Sequence, residues 1–271
     1  MFKLNFDRIN FDQVLGAGNS GTVYPYQKNP EDLKWIVKRL IAKDDKALFQ
    51  HFNEVVLGFS CSHNSIVPVR GYFIEKQQKP PTYNIYLKMP RMKESLNQVI
   101  QRNIQNNTPF EEKEILKIFY SLVCGLEYLH KEKEIAHRDI KPDNILFDYE
   151  GNTKLSDIGV ARFVGDQGTS FLDTNIAGTP YYIAPEVKEI DPKFKNKDWY
   201  KSDAWSLGVV IADLCLLKPK IETPFTVQDL VNLEGKYSLE LINLLRNLLK
   251  TDPSQRLSIE EVKRALEAVI V

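Results

Sequence analysis

Four side chains in one short stretch of the chain could together move a phosphoryl group. The sequence at 137–144 is HRDIKPDN, and Asp157 follows thirteen residues after Asn144. Phosphoryl transfer needs an oriented hydroxyl group and clustered positive charge around the moving group, with little covalent help from the protein. Asp139 could orient the hydroxyl group and accept its proton, and Lys141 could neutralise charge on the phosphate. Asn144 and Asp157 offer oxygen ligands of the kind that Mg²⁺ prefers.

A glycine-rich turn near the N-terminus could bind phosphate groups. Residues 9–26 are predicted to form a strand, a turn and a second strand, and the turn has a GxGxxG pattern. This pattern alone is a weak signal, because hairpin glycines are common. In a dinucleotide-binding fold a helix begins at the last glycine, whereas the sequence TVY at 22–24 predicts a strand. We therefore expect a flexible glycine hairpin that closes over a nucleotide. The turn consists of Gly16, Ala17, Gly18, Asn19, Ser20 and Gly21.

A strand and a helix further along the chain carry a lysine and a glutamate that could pair. The sequence WIVK at 35–38 predicts an apolar strand that ends on a lysine, and 44–60 has the periodicity of a helix. Taken alone, Lys38 is typical of a solvated strand end, and Glu54 of a surface charge. In the context of a phosphate site, Lys38 is the natural partner of α- and β-phosphates. A partly buried ion pair with Glu54 would hold the lysine in that place.

Two more strands are predicted before residue 90. Residues 66–74 and 83–89 have the composition of strands. A polar segment from Lys76 to Pro81 separates them and is predicted to be a loop. The first ninety residues are therefore expected to contain mainly strands.

Composition and charge exclude several classes of function. The 36 basic and 36 acidic residues give a formal net charge of zero, so no overall field favours nucleic acid or an anionic membrane. No apolar run is long enough to span a membrane, and the N-terminus lacks the apolar core of a signal peptide. The three cysteines share no metal-ligand spacing and fit a reducing compartment. We therefore expect a cytoplasmic protein with no nucleic-acid partner and no membrane span.

An ordered series of segments resembles the serine/threonine branch of the eukaryotic-type protein kinases. The resemblance covers residues 10–268, almost the whole chain, and the order and spacing of the segments make it specific. The matching segments are GAGNSGTV at 16–23, WIVK ending at Lys38, Glu54, HRDIKPDN at 137–144, DIG at 157–159, APE at 184–186, DAWSLG at 203–208, and DPSQR at 252–256, whose Arg256 would pair with Glu186.

The resemblance implies an α+β, bilobal fold in a single protein kinase domain over residues 1–271. Residues 1–89 would form a small lobe with an antiparallel sheet and one helix. Residues 93–271 would form a larger, mainly α-helical lobe. Residues 90–92 would be the hinge, and ATP would lie between the lobes. The helix that begins near Asp203 would support the catalytic loop.

The resemblance also implies a reaction, which is transfer of the γ-phosphate of ATP, with Mg²⁺, to serine and threonine hydroxyls of protein substrates. Lys141, two residues after Asp139, is typical of enzymes that act on serine and threonine. The segment GTPYYIAPE at 178–186 matches their substrate-docking segment. Within it, Thr179 would hydrogen-bond Asp139 and Lys141.

The site residues that the resemblance implies fall into three groups. The catalytic residues would be Lys38, Glu54, Asp139 and Lys141. The metal ligands would be Asn144 and Asp157. The nucleotide would contact the glycine turn together with Val23, Ile36, Lys38, Met89, Met92 and Leu146.

The segment 157–186 contains candidate regulatory sites. Arg138 and Arg162 could face this segment and bind a phosphate group through paired N–H donors. The candidate phosphate acceptors are Thr169, Ser170 and Thr174. Thr174, five residues before Thr179, is the favoured acceptor, and its phosphate would order the segment by charge pairing. The alternative is that these are ordinary polar loop residues.

Three positions depart from the family pattern. Ile158 occupies a position that usually has Phe, and Gly58, four residues after Glu54, occupies one that usually has a large apolar residue. Both would weaken a packed stack that links the lobes, so the isolated domain is expected to have low basal activity or to need an activating partner. Ile36 would tighten the adenine pocket, although a β-branched residue is also simply favoured in a strand.

Two other classes of function remain open. A pseudokinase, which would bind partners without catalysis, is supported by the departures at Ile36, Gly58 and Ile158. A small-molecule kinase with the same fold is disfavoured by the peptide-docking segment at 178–186. Transfer of phosphate to a protein substrate would distinguish the three classes.

Overall fold

The described chain divides into two compact units, which are considered one at a time. The first comprises residues 1–93 and 156–159, and the second comprises 94–155 and 160–271. The single-domain extent and the hinge expected at 90–92 remain predictions. The structure is a computed structural model that describes residues 4–18, 21–27, 34–78, 81–158, 162–163, 180–188, 198–217 and 227–270.

The first unit contains a five-stranded sheet and a 16-residue helix, α1 (Asp45–Ser60). The strand order is β1-β2-β3-β5-β4, and every neighbouring pair is antiparallel. Helix α1 begins where the Asp44 carboxylate accepts a hydrogen bond from the Ala47 N–H, which caps the first turn. The strands are β1 (Gly16–Gly18), β2 (Gly21–Pro25), β3 (Trp35–Ala42), β4 (Gly71–Gln78) and β5 (Pro81–Pro90).

Both faces of this sheet are covered, because side chains alternate between the faces along each strand. Helix α1 contributes Val55 to the cluster on one face, and the residues before β4 contribute Val69. The sheet residues on that face are Leu40, Ala42, Ile85 and Leu87. The opposite face buries Val37, Tyr24, Tyr26 and Tyr86 against Leu4 and Ile9.

The limits predicted for β4 and β5 were partly wrong. The loop expected from Lys76 to Pro81 is shorter, because β4 continues to Gln78 and β5 already begins at Pro81. Polar residues remain in the ladder because they pair across it, and Lys76 Nζ lies 5.4 Å from the ring centroid of Tyr83. Pro81 is tolerated as the first residue of a strand. At the other end, the buried apolar residues of 66–70 precede β4.

The second unit is mainly helical. Its longest described helix is buried on all sides over fourteen consecutive residues, 202–215, as expected for a helix at the centre of a core. No helix in the described part of the chain is both long enough and apolar enough to cross a membrane. The helices are α2 (Leu96–Asn106), α3 (Glu112–Glu127), α4 (Pro185–Lys188), α5 (Trp199–Leu216), α6 (Leu239–Leu248) and α7 (Ile259–Ile270).

Short strands in the second unit hold the loop that contains HRDIKPDN. One strand pair lies just before this loop and another follows it directly, so both ends of residues 137–144 are fixed. The pairs are β7 (Ile135–Ala136) with β10 (Arg162–Phe163), and β8 (Ile145–Phe147) with both β6 (Glu94–Ser95) and β9 (Thr153–Leu155).

Candidate active site

A buried lysine in the first unit bridges two carboxylates. Lys38 Nζ on β3 lies 2.8 Å from Glu54 Oε1 on α1 and 2.9 Å from Asp157 Oδ1. The side chains of Lys38 and Glu54 are less than one tenth exposed. The ion pair expected between these two residues therefore forms, and Asp157 joins it. We call these three residues the lysine cluster.

The charges of the lysine cluster depend on one another. Burial disfavours the ammonium form of Lys38, but the carboxylates of Glu54 and Asp157 outweigh this effect and raise its pKa. Burial also raises the pKa of Glu54. The positive charge of Lys38 opposes this increase, and the negative charge of Asp157 adds to it. Because two carboxylates share one ammonium group, the ionised cluster carries a net negative charge and attracts a further cation.

Asp157 has an unusual backbone conformation. Its φ is 61°, in the left-handed region that costs a non-glycine residue energy. The hydrogen bond from Lys38 holds its carboxylate in this conformation. Such strain is common at functional sites, and here the carboxylate lies beside Lys38 in the interior of β3.

The register of the sheet places several predicted nucleotide-binding residues on one face. Val23 pairs with Lys38, Ile36 precedes Lys38 by two residues, and Met89 pairs with Ile36. Cross-strand partners, and residues two apart on one strand, have side chains on the same face of a sheet. Val23, Ile36 and Met89 are half-buried, as is Met92 after β5. Leu146 belongs to β8 in the second unit and is also half-buried.

The residues of the predicted glycine turn belong largely to strands, because Gly16, Ala17 and Gly18 form β1 and Gly21 begins β2. One of these glycines is required by the fold. Gly21 has a φ of 118°, and a Cβ atom there would lie 2.5 Å from the carbonyl oxygen of Arg39. Gly16, Ala17 and Gly18 are exposed on β1. Asn19 and Ser20 lie outside the described residues.

The second unit contains the other predicted catalytic cluster. Lys141 Nζ lies 2.7 Å from Asp139 Oδ2. Asn144 Nδ2 donates to the same oxygen at 2.9 Å and to the Asp139 carbonyl at 2.8 Å. Asp139 Oδ1 is also buried, yet within the described part of the chain it accepts no hydrogen bond. One carboxylate oxygen is thus held in place, whereas no described residue donates to the other.

The donor set predicted for a metal suits Mg²⁺. Asp157 offers a carboxylate and Asn144 an amide oxygen, which are hard ligands without sulfur or ring nitrogen. Because Asn144 directs its amide nitrogen to Asp139, its oxygen is the atom suited to a cation. Mg²⁺ is typically held by one or two protein oxygens together with substrate phosphates and water.

A carboxylate from α5 supports the catalytic loop. Asp203 accepts hydrogen bonds from the backbone N–H groups of His137, at 2.7 Å, and Arg138, at 2.8 Å. His130 Nε2 lies 2.9 Å from the same carboxylate. These bonds stabilise the positive φ of 70° at Arg138, directly before Asp139. Sequence reasoning assigned support of the loop to this helix but missed His130.

The predicted regulatory and docking residues are only partly described. The Arg138 guanidinium is buried and lies 4.2 Å from the ring centroid of Trp199, as in a cation–π contact. The backbone of Arg162 pairs with Ala136 in the β10–β7 ladder. Thr169, Ser170, Thr174 and Thr179 lie outside the described residues.

Two buried polar contacts fix the residues around APE. Arg256 and Glu186 form a double ion pair, with N–O distances of 2.7 and 3.0 Å, as the resemblance implied. Sequence reasoning missed the second contact, in which the hydroxyl groups of Tyr181 and Tyr182 each donate to Asp213 at 3.0 Å. Burial and this carboxylate raise the pKa of both tyrosines, which keeps them as donors.

Comparisons with known proteins agree with this arrangement. The protein kinase domain family matches residues 9–266. The chain is 30% identical over 261 residues to serine/threonine-protein kinase Nek1 of Mus musculus, covering 92% of this chain and 20% of that protein. It is 31% identical over 263 residues to serine/threonine-protein kinase Nek5 of Mus musculus, covering 93% and 39% respectively. Serine/threonine-protein kinase dst2 of Dictyostelium discoideum is 28% identical over 261 residues, covering 92% and 22%.

The chain thus spans between about a fifth and two fifths of the length of these relatives. The family match covers nearly all of it and includes both clusters described above. The antiparallel sheet of the first unit and the helices of the second agree with that family. The chain belongs to the protein kinase domain family.

Proposed function

We propose that this domain transfers the γ-phosphate of ATP, with Mg²⁺, to serine and threonine side chains of protein substrates. The observation that carries the proposal is the arrangement of the Asp139 carboxylate. Its Oδ2 is held by Lys141 and Asn144, and no described residue donates to its buried Oδ1. A carboxylate held in this way can orient a hydroxyl group and accept its proton.

The other site residues have complementary roles in this proposal. Lys38, held by Glu54, would bind the α- and β-phosphates, and its raised pKa keeps it charged. Lys141 would neutralise charge on the moving phosphoryl group. Asn144 and Asp157 would hold Mg²⁺, which supplies further positive charge when bound. The backbone N–H groups of the glycine turn would approach the phosphates, because glycine has no side chain to block them.

The acceptor class can be tested with peptides that differ in one residue. Three peptides with Ser, Thr or Tyr at the same position would be incubated with the domain, ATP and Mg²⁺. We expect transfer to the Ser and Thr peptides, loss of transfer when EDTA removes the metal, and recovery when excess Mg²⁺ is added. Transfer confined to tyrosine, or to small-molecule alcohols offered in parallel, would contradict the proposed substrate class.

We further propose that phosphorylation of the segment 157–186 regulates the domain. A phosphate on Thr174 would pair with Arg138 and Arg162 and order the segment. The support is chemical, because two arginines belong to the catalytic loop and to β10, and three hydroxyl residues follow in the sequence. Arg138 is already fixed against Trp199, so little side-chain freedom would be lost when it binds phosphate.

The variant Thr174→Ala tests this regulation. We expect roughly a tenfold lower rate of transfer, since the lost charge-assisted contacts are worth at least about 1.4 kcal/mol. Thr169→Ala and Ser170→Ala are matched controls and should have smaller effects. The rate of each variant would be measured before and after phosphatase treatment. A Thr174→Ala protein with the full wild-type rate would exclude Thr174 as the switch.

We also propose that an activating partner binds the outer side of α1. Four apolar side chains there are between 41% and 68% exposed. They are spaced three and four residues apart, as in the contact face of a helix that packs on another helix. A cavity of about 1010 Å³ lies along the same helix. The four residues, which we call the apolar stripe, are Phe49, Phe52, Val56 and Phe59.

Charge around the cavity favours a particular kind of partner. Arg70 lines it, whereas the ammonium of Lys88 lies over the rings of Tyr26 and Trp35, and none of the described residues that line the cavity is acidic. We propose that the partner is a protein segment that forms an amphipathic helix, with acidic residues beside its apolar ones. Such a helix would bury the apolar stripe and place its carboxylates near Arg70.

Two designed helical peptides test this surface. Both have the same apolar residues, and their polar positions are either Glu or Lys. We expect the Glu peptide to bind and to raise the transfer rate, and Phe59→Ser to weaken its binding by about tenfold or more. Tyr149→Ser, which changes an exposed aromatic residue in the second unit, is the matched control. Equal binding of both peptides, or self-association of the domain through α1, would contradict the proposed partner.

A further inference from the structure

Gly58 on α1 lies unusually close to a neighbouring side chain. A Cβ atom at this position would lie 2.3 Å from Val69 Cγ2 and 3.1 Å from Val69 Cβ. Real Cβ contacts are essentially never that short, so even alanine would force a movement. The sequence analysis expected glycine here to weaken a packed stack, because the family usually has a large apolar residue. The structure shows that Val69 occupies that space.

Backbone conformation does not explain the glycine. Gly58 is not among the described glycines with positive φ, so any residue could adopt its backbone angles. Glycine in the middle of a helix lowers stability relative to alanine. The close contact with Val69 is therefore the physical reason for glycine at this position.

Val69 is packed against the sheet of the first unit. It is buried and packs in one cluster with Leu40 of β3 and with Ile85 and Leu87 of β5. Its β-branched side chain has few favourable rotamers. Val69 therefore acts as a fixed spacer between the sheet and α1, and the residue at position 58 sets how closely the helix approaches.

The same approach distance affects the lysine cluster. Glu54 precedes Gly58 by four residues, so the two lie on the same face of α1, one turn apart. Val69 lies between α1 and the sheet, and Glu54 must reach from the helix to Lys38 on β3. The distance from Lys38 Nζ to Glu54 Oε1 is 2.8 Å. A helix displaced at position 58 would move Glu54 away from Lys38.

We propose that Gly58 is a positioning residue, which allows α1 to approach Val69 closely enough for Glu54 to hold Lys38. The inference rests on the proposed kinase function, in which Lys38 binds phosphate. It also gives Gly58 a supporting role, in place of the weakened packed stack that the sequence analysis expected. A larger residue at position 58 weakens the site, because it overlaps Val69. Only a smaller residue at position 69 removes this overlap.

The test measures Gly58→Ala in two backgrounds, wild type and Glu54→Gln. In the wild-type background we expect kcat/KM for ATP to fall by roughly ten- to a hundredfold, because a displaced catalytic group is costly. The Mg-ATP dissociation constant should rise as well. In the Glu54→Gln background the same change should cost less than about twofold, since Gly58 acts through Glu54. The double variant Gly58→Ala/Val69→Ala should recover much of the loss.

Gly208→Ala is the matched control, because Gly208 is also a helical glycine with a tight contact, 2.9 Å from Leu248 Cβ, but lies in the second unit. Its effect should be the same in both backgrounds. An unchanged Gly58→Ala enzyme, or an equal loss in both backgrounds, would overturn the inference. If Gly58→Ala does not fold, a Gly58→Ala/Val69→Ala variant that also fails to recover folding or ATP binding would overturn it. A wild-type protein that transfers no phosphate would instead overturn the proposed function.

Discussion

Replacing Asp139 with asparagine is expected to lower kcat by about 10²- to 10⁴-fold, the usual contribution of a general base. Asparagine has nearly the same shape, so Lys141 and Asn144 can still surround it. It cannot accept the proton of the substrate hydroxyl group, because its side chain has no carboxylate. The affinity for Mg-ATP should change little, since Asp139 has no role in binding the α- and β-phosphates.

The measurement is the initial rate of γ-phosphate transfer to a serine peptide, together with ATP binding by calorimetry. Glu150→Gln is the matched control, because Glu150 is an exposed acidic residue in a turn of the same unit. An Asp139→Asn protein that keeps more than about a tenth of the wild-type kcat would show that Asp139 is not the base.

Replacing Arg256 with methionine is expected to lower the free energy of unfolding by about 3–5 kcal/mol. Arg256 and Glu186 are each 1% exposed, and their double ion pair is buried. Arg256 also donates to the Lys250 carbonyl at 3.0 Å and to the Lys201 carbonyl at 2.7 Å. Methionine fills similar space but leaves the Glu186 charge and these carbonyl groups without that donor.

Urea unfolding would measure this loss, with Arg264→Met as the matched control. Arg264 is exposed on α7, so its replacement should change stability by less than about 0.5 kcal/mol. The double variant Glu186→Leu/Arg256→Met should be more stable than Arg256→Met alone, because no buried charge is left unpaired. A single variant within about 1 kcal/mol of wild type would mean that the pair contributes little.

Local patterns predicted the elements of the first unit well. Helical periodicity at 44–60 agrees with α1, and WIVK agrees with the start of β3, although the strand continues past its predicted end at Lys38 to Ala42. The limits of β4 and β5 were less predictable, because polar residues such as Lys76 are retained in the ladder by cross-strand contacts. A pattern of single residues does not contain those pairings.

The chemical identity of the candidate site could be predicted, whereas its supporting contacts could not. Residue type and order indicated the pairing of Lys38 with Glu54 and of Lys141 with Asp139. The hydrogen bond between His130 and Asp203 joins residues 73 positions apart, and nothing local to either residue indicates it. The close contact at Gly58 could not be predicted for a similar reason, because the side chain beside it belongs to Val69, outside the helix.

The most direct test of the proposed function follows phosphate transfer and nucleotide binding in one sample of purified wild-type protein. The protein would be mixed with Mg²⁺, γ-labelled ATP and the serine peptide, and both bound nucleotide and labelled peptide would be quantified over time. We predict that nucleotide binds and that labelled phosphoserine accumulates over repeated turnovers. Bound nucleotide without any labelled peptide, with or without the Glu peptide that binds α1, would contradict catalysis and identify a nucleotide-binding module.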